Sequence, residues 1–215
     1  MTLAELISQV RQVLASRAFL AIFASLLAIS LSLAYVASEL RPQERFLSIS
    51  TLGSNMMTEN YYPGDSSTIN VGDNVKWYLN VYNRMGSAEY ISLRVKLLNS
   101  TQTIPDDTLH VPSPENQIIE MKYMLMNNST WVIPLTWTVT EVEEQQDYIV
   151  IKSLELNGIH VDQLNVRSLN GRDFRIIVEL WRYDLETGNF AFAWSSGLEE
   201  RSAWNQIWFN VKQRT

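Results

Sequence analysis

Between Arg17 and Glu39 the chain runs through 21 consecutive uncharged residues, AFLAIFASLLAISLSLAYVAS. As a helix rising ~1.5 Å per residue, this segment is about 30 Å long, the hydrocarbon thickness of a bilayer. It reads as a membrane span, with Tyr35 near one boundary, where aromatic side chains gather. The competing reading is a cleaved signal peptide. Such a peptide has an apolar core of about 7–15 residues, and the small-residue site around Val36-Ala37-Ser38 is poor. A retained anchor is therefore expected. Before the span, Leu3, Leu6, Ile7, Val10, Val13 and Leu14 recur at helical spacing. They predict one continuous helix over residues 3–39, its first part lying in the headgroups or against another protein helix.

This divides the chain into an amphipathic and transmembrane helix (1–40) and a larger domain (41–215). Arg11 and Arg17 precede the span with Glu5 as the acid. Setting these three aside, the 17 basic and 23 acidic residues become 15 and 22 beyond the span, a net charge of −7. The positive-inside rule then places the N-terminus inside and the large domain outside the cell membrane, although Arg41 and Arg45 weaken the asymmetry. Sequons at Asn99, Asn127 and Asn128 all fall beyond the span and agree with export.

Past Pro42 the period changes to two. Val75, Trp77, Leu79 and Val81 alternate with polar or amphipathic neighbours, as do Ile91, Leu93, Val95 and Leu97. The pattern returns at Trp131–Val139, at Phe174–Leu180, at Phe190, Phe192 and Trp194, and at Ile207, Phe209 and Val211. One apolar face and one wet face is the mark of antiparallel sheet. Turn residues such as Pro63-Gly64-Asp65, Gly72-Asp73-Asn74, Asn157-Gly158 and Asn170-Gly171 separate the runs. The expected fold is mainly β: a single transmembrane helix followed by an antiparallel, Ig-like β-sandwich. Pro134 within a strand predicts an edge position or a bulge. Thr101–Asn116, carrying three prolines, reads as a long connection within the sandwich.

These residues resemble a family. The stretch from Phe46, with Tyr62-Pro63, the Val71-Gly72 turn, Asn83 after an alternating strand and Tyr90 opening the next, is similar to the C-terminal region of archaeal and bacterial membrane proteins catalogued as domain of unknown function 1616. NSTWVIPLTWTV and ELWRYD match its closing hairpins, and the resemblance covers residues 46–211. It implies a surface-exposed sandwich and supplies no activity. The family carries several membrane helices before this domain, where this chain has one. Thr103–Met126 and Glu141–Arg172 look enlarged beside it.

The composition excludes several function classes. A pI near 5.0 gives no electrostatic footprint for nucleic acid. The absence of cysteine removes disulfides, thiol nucleophiles and Cys-ligated metals. His110 and His160 are isolated, and no nucleophile motif, phosphate loop or H-E-x-x-H is present. Glu141, Glu143, Glu144 and Asp147 form an acidic run that could hold Ca²⁺ but lacks the fixed spacing of a calcium loop, and the Asp65 and Asp73 turns could likewise ligate it. No enzyme activity and no cofactor is expected.

Trp77, Trp131, Trp137 and Trp194 fall on apolar strand faces and belong to the core. Trp181, Trp204 and Trp208 lie among polar neighbours and are candidates for an exposed aromatic contact with protein or glycan. Ala18, Ala21, Ala24, Ser25 and Ala28 form a small-residue stripe suited to close helix packing. The expected role is a non-catalytic structural or accessory subunit, partnered by the bilayer and by other membrane or cell-surface subunits. The alternative is a surface-presented glycan- or solute-binding module.

Overall fold

The computed structural model describes residues 16–38, 44–196 and 199–213. Chain contacts separate two compact units, Met1–Gln43 and Glu44–Thr215.

In the first unit, helix α1 spans Arg17–Ser38. Ser16 stands just outside it as a cap. The Phe19 N–H donates to Ser16 Oγ and the Leu20 N–H to the Ser16 carbonyl, both at 3.1 Å. A serine hydroxyl here takes an N–H that has no carbonyl one turn earlier. The unbroken helix expected over 3–39 is therefore corrected: the helix begins at Arg17. The apolar stripe from Leu3 to Leu14 lies outside the described residues. Every side chain from Leu20 to Ala37 is exposed, and the helix is long and apolar enough to cross a membrane. The Ser25 hydroxyl donates to the Ala21 carbonyl at 2.9 Å, so this polar group is satisfied within the helix.

The second unit is a sandwich of two sheets. In the first sheet the order is β1 (Leu47–Leu52), β3 (Val75–Asn83), β6 (Ser129–Gln145), β7 (Tyr148–Leu156) and β8 (Ile159–Val161), with β9 (Val166–Leu169) also on β7. In the second it is β2 (Thr68–Asn70), β14 (Ala203–Lys212), β10 (Phe174–Asp184), β4 (Glu89–Leu98) and β5 (Ile119–Leu125), with β11 (Asn189–Ala191) on β10. A small ribbon joins β12 (Trp194–Ser196) to β13 (Glu199–Arg201). The chain changes sheets between β1 and β2, and β2 runs parallel to the last strand, Ile69 opposite Val211. All other pairings are antiparallel. The sandwich is Ig-like, as the alternation predicts.

The period-two residues meet between the sheets. Val75, Trp77, Leu79 and Val81 from β3 face Ile91, Leu93, Val95 and Leu97 from β4, all buried. An aromatic chain crosses the gap. Tyr62 meets Trp77 edge-on, Trp77 meets Trp137 at 5.1 Å, and Trp137 meets Phe209 of the opposite sheet at 4.8 Å. Trp194 is buried too, whereas Trp131 is only partly so. Asn83, fully buried at the end of β3, ties two turns together. Its amide donates to the carbonyls of Ser87 and Leu125, and its Oδ1 accepts the Met85 N–H.

Two local details refine the sequence reading. β6 pairs with β3 over Ser129–Trp137 and with β7 over Trp137–Gln145, so Pro134 sits where β6 has a neighbour on one side and is an edge on the other. The ring nitrogen, which has no hydrogen to give, costs no ladder bond there. The single strand expected through Phe190, Phe192 and Trp194 is broken into β11 and β12, with Phe192 between them buried against Trp181 and Trp194 buried in the core.

Candidate functional site

Strand β10 is inaccessible on both faces from Phe174 to Leu180. Phe174, Ile176, Val178 and Leu180 point inward as their spacing requires, yet Arg175, Ile177 and Glu179 on the outer face are also buried. Their cover is the connection from Asn99 to Ile118, which crosses the outer face of the second sheet as a strap. Asn99 starts it with an Asx-type turn, its Oδ1 accepting the Thr101 and Gln102 N–H groups. Asp106 and Val111 close a small loop by mutual backbone bonds.

Charged groups bind the strap to the sheet. Lys96 Nζ lies 2.9 Å from Glu179 Oε1 and donates to the Ser113 carbonyl at 2.6 Å. The Ser113 N–H donates back to Glu179 at 2.9 Å. The two charged side chains are 5% and 0% exposed. Arg175 donates to the carbonyls of Asn99 and Gln102, and burial lowers its guanidinium's affinity for its proton. At the strap's margin Trp204 Nε1 donates to Asp107 at 2.6 Å.

Beyond the strap the outer face opens into a mixed aromatic and charged field. The Arg94 guanidinium stacks 3.7 Å over the Trp181 ring, whose Nε1 donates to Glu179 Oε2. Glu120 receives Arg94, Lys122 and the Ser92 hydroxyl. Burial works to raise the Glu120 carboxyl, but these three donors outweigh it and hold it below the usual carboxylate range. Tyr90, Tyr183 and Phe190 pack together, with ring centres 5.1–5.7 Å apart.

Trp181, Trp204 and Trp208 thus share one sheet face without forming an open aromatic patch. Arg94 and Phe192 cover Trp181, the strap holds Trp204, and Arg175 lies over Trp208, which is 40% exposed. Asn99 donates its amide to the Arg167 carbonyl. Asn127 and Asn128 sit at the exposed β5–β6 turn, where Asn127 Oδ1 accepts the Gly86 N–H and Asn128 takes φ +56°. Ala18, Ala21, Ala24, Ser25 and Ala28 are all exposed along α1.

An open cleft of about 630 Å³ runs along the seam between β1 and β14, lined by Phe46, Ile49, Asp107, His110, Arg201 and Trp204 among others. His110 Nδ1 meets Ser202 Oγ there at 3.1 Å. A nucleophile–base pair also needs a group that orients the base, and among the described residues no carboxylate bonds the His110 ring. Arg201 is held between Glu44 and Glu199. His160 pairs with Asp162 on the surface, and Glu143 of the acidic run pairs with Lys152. Among the described residues no three His, Asp or Glu side chains gather to hold a metal.

The sequence reading passed over Lys96, Arg175 and Glu179, which occupy the polar phase of their strands and look like surface residues. The available signal was the run of apolar neighbours on both sides of Glu179 in RIIVELW.

No protein-family model matches the chain, and no curated protein matches it. Solved structures to which the chain is similar include the CARDB domain of the PF1109 protein from Pyrococcus furiosus, in complex with di-metal ions. It is 12% identical with a TM-score of 0.38, over 81% of this chain and 95% of that one. A second is the b-glucosidase EmGH1 from Erythrobacter marinus, 7% identical with a TM-score of 0.37, over 78% of this chain and 16% of that one. A third is the sporulation control protein Spo0M from Bacillus subtilis, 10% identical with a TM-score of 0.32, over 77% and 49%. No residue role is carried across from them.

Proposed function

We propose that this chain is a single-span membrane protein presenting a β-sandwich outside the cell, where the sandwich serves as a non-catalytic structural or accessory subunit of a membrane or cell-surface assembly. The observation that carries this reading is α1. Its apolar side chains from Leu20 to Ala37 are all exposed, a state that water penalises and a bilayer or a partner helix satisfies. The side of α1 bearing Ala18, Ala21, Ala24, Ser25 and Ala28 suits close approach of another helix. Arg11 and Arg17 favour an inside N-terminus. Lys96, Arg175 and Glu179 of the second sheet are spent on holding the strap, which suits a scaffold better than a reaction centre. The covered faces of Trp181 and Trp204 give the glycan-binding alternative less support. The resemblance of residues 46–211 to the family of domain of unknown function 1616 belongs to the same proposal, as does glycosylation, for which Asn127 and Asn128 are exposed acceptors and Asn99 is half-buried.

The test is extraction of the native protein in mild detergent, followed by native mass analysis. Companion membrane subunits at fixed stoichiometry are expected. A chain recovered alone, or only with copies of itself, sinks the accessory role. Release of the chain by alkaline carbonate sinks the anchor.

A further inference from the structure

We propose that the free edge of β5 docks a second copy of this chain, the two β5 strands pairing antiparallel about a two-fold axis at Met121. This goes beyond the accessory role and does not depend on it.

β5 ends the second sheet, pairing with β4 on one side and with no strand on the other among the described residues. Several other edges are short or partly occupied. Along the opposite seam the Tyr61 hydroxyl donates to the Thr51 carbonyl of β1, and the Tyr62 hydroxyl to the Trp208 carbonyl of β14. In the first sheet β8 and β9 cover the outer side of β7. An unpaired strand edge of this kind is a template for another strand. Exposed apolar side chains flank it, with Tyr123 47% and Met124 53% exposed.

The β4–β5 ladder decides which backbone groups are free. Ile118 N–H donates to the Val95 carbonyl, and Val95 lies opposite Ile119, so two residues of one strand face one of the other. Val95–Ile119 is then a hydrogen-bonded pair, and Leu93–Met121 and Ile91–Tyr123 follow by alternation. Glu120, Lys122 and Met124 are left with their N–H and C=O groups directed to the open side.

Two antiparallel copies can hydrogen-bond only where these residues meet, and charge selects among the registers. Centring on Lys122 opposes two lysines, and centring on Glu120 opposes two carboxylates. Centring on Met121 sets Glu120 of each copy opposite Lys122 of the other, twice over. Opposite charges across a ladder attract and like charges repel. A lysine that would ordinarily blunt an edge is thus matched by a carboxylate two residues away. The surface is self-complementary, as a two-fold interface requires.

The chain contains no cysteine, so Met121→Cys supplies a single thiol. On the axis, the two residue-121 Cα atoms form a non-hydrogen-bonded pair about 4.5 Å apart, inside the disulfide range of about 4.4–6.8 Å. Full-length M121C in nonionic detergent, under mild oxidation, is expected to form a covalent dimer, while I159C on exposed β8 stays monomeric. Adding Lys122→Glu should lower the dimer yield roughly tenfold by turning two attractive pairs repulsive, and E120K/K122E should restore it. Native mass analysis of the unmodified chain supplies a readout free of mutation, and a dimer is expected. A monomeric unmodified chain, M121C that cross-links no better than I159C, or a yield indifferent to K122E each overturns the proposal. So does recovery of an unrelated chain cross-linked at residue 121. The cross-linking yields of M121C, K122E and E120K/K122E read this edge alone, whereas companion subunits in native mass analysis read the accessory role, so the two proposals fail separately.

Discussion

Replacing Lys96 with methionine tests whether the strap is held by a buried ion pair. The substitution keeps the length and apolar stem of the side chain but removes the ammonium 2.9 Å from Glu179. Glu179, with no exposure, retains the Ser113 N–H at 2.9 Å and Trp181 Nε1 at 3.0 Å, two neutral donors in place of a cation. The Ser113 carbonyl also loses its donor. Removing one partner of a buried pair costs about 3–5 kcal/mol, because the other charge is left without compensation. For a domain of this size each kcal/mol lowers Tm by about 2–4 °C, so a fall of roughly 6–20 °C is expected.

The assay is guanidinium unfolding of the full-length chain in nonionic detergent, followed by tryptophan fluorescence. Hydrogen exchange across residues 101–118 should rise in parallel. The double variant K96M/E179M removes both charges but leaves the Ser113 N–H and carbonyl and Trp181 Nε1 without partners, so it should cost less than the two single losses added together without returning to the parent. A K96M loss below about 1 kcal/mol, of the size seen for exposed pairs, would refute the reasoning. A double variant as unstable as the two single losses added together would do the same.

Asn83→Ala should cost on the order of 3 kcal/mol, since it removes a buried partner of the Leu125 carbonyl and of the Met85 N–H and unties the more exposed Ser87 carbonyl; thermal unfolding reads it. Gly171→Ala should be strongly destabilising. The residue holds φ +67°, and a Cβ would stand 2.3 Å from the Val211 carbonyl, so the backbone conformation alone costs about 1–3 kcal/mol. Recovery of soluble, monodisperse G171A with an unchanged midpoint contradicts this. Acidification should weaken the sandwich through Glu120. Its folded carboxyl lies below its unfolded value, so its contribution is complete above the unfolded pKa and is lost as pH falls through the folded one. Stability measured from pH 7 down to pH 3 should decline over the acid limb, and Glu120→Gln should shallow that decline.

Much of the architecture was legible from local pattern. An uncharged run too long for a strand announces α1, and strict alternation announces β3, β4 and β14, because both signals lie within a few neighbouring residues. Pro134 was legible only in part. Its effect on the ladder depends on where β7 stops, which is set by the Asn157-Gly158 turn more than twenty residues later. The tryptophan reading shows the same divide. The apolar phase identified Trp77 and Trp137 as core, whereas the surroundings of Trp181 and Trp204 depend on Arg94 and Asp107, residues on other elements.

By itself the sequence determines that the chain carries a helix long and apolar enough to cross a membrane, and alternating strands that must close on an apolar interior. Period and hydrophobicity act locally, so they can be read without knowing the fold. Tertiary structure alone decides which wet faces become dry. Arg175 and Glu179 stand on the polar phase of β10, yet a strap whose Ser113 is 66 residues from Glu179 in sequence buries them. Covering charge is tolerable only where every charge finds its partner. That matching is assembled across distant segments, a relation no local window contains.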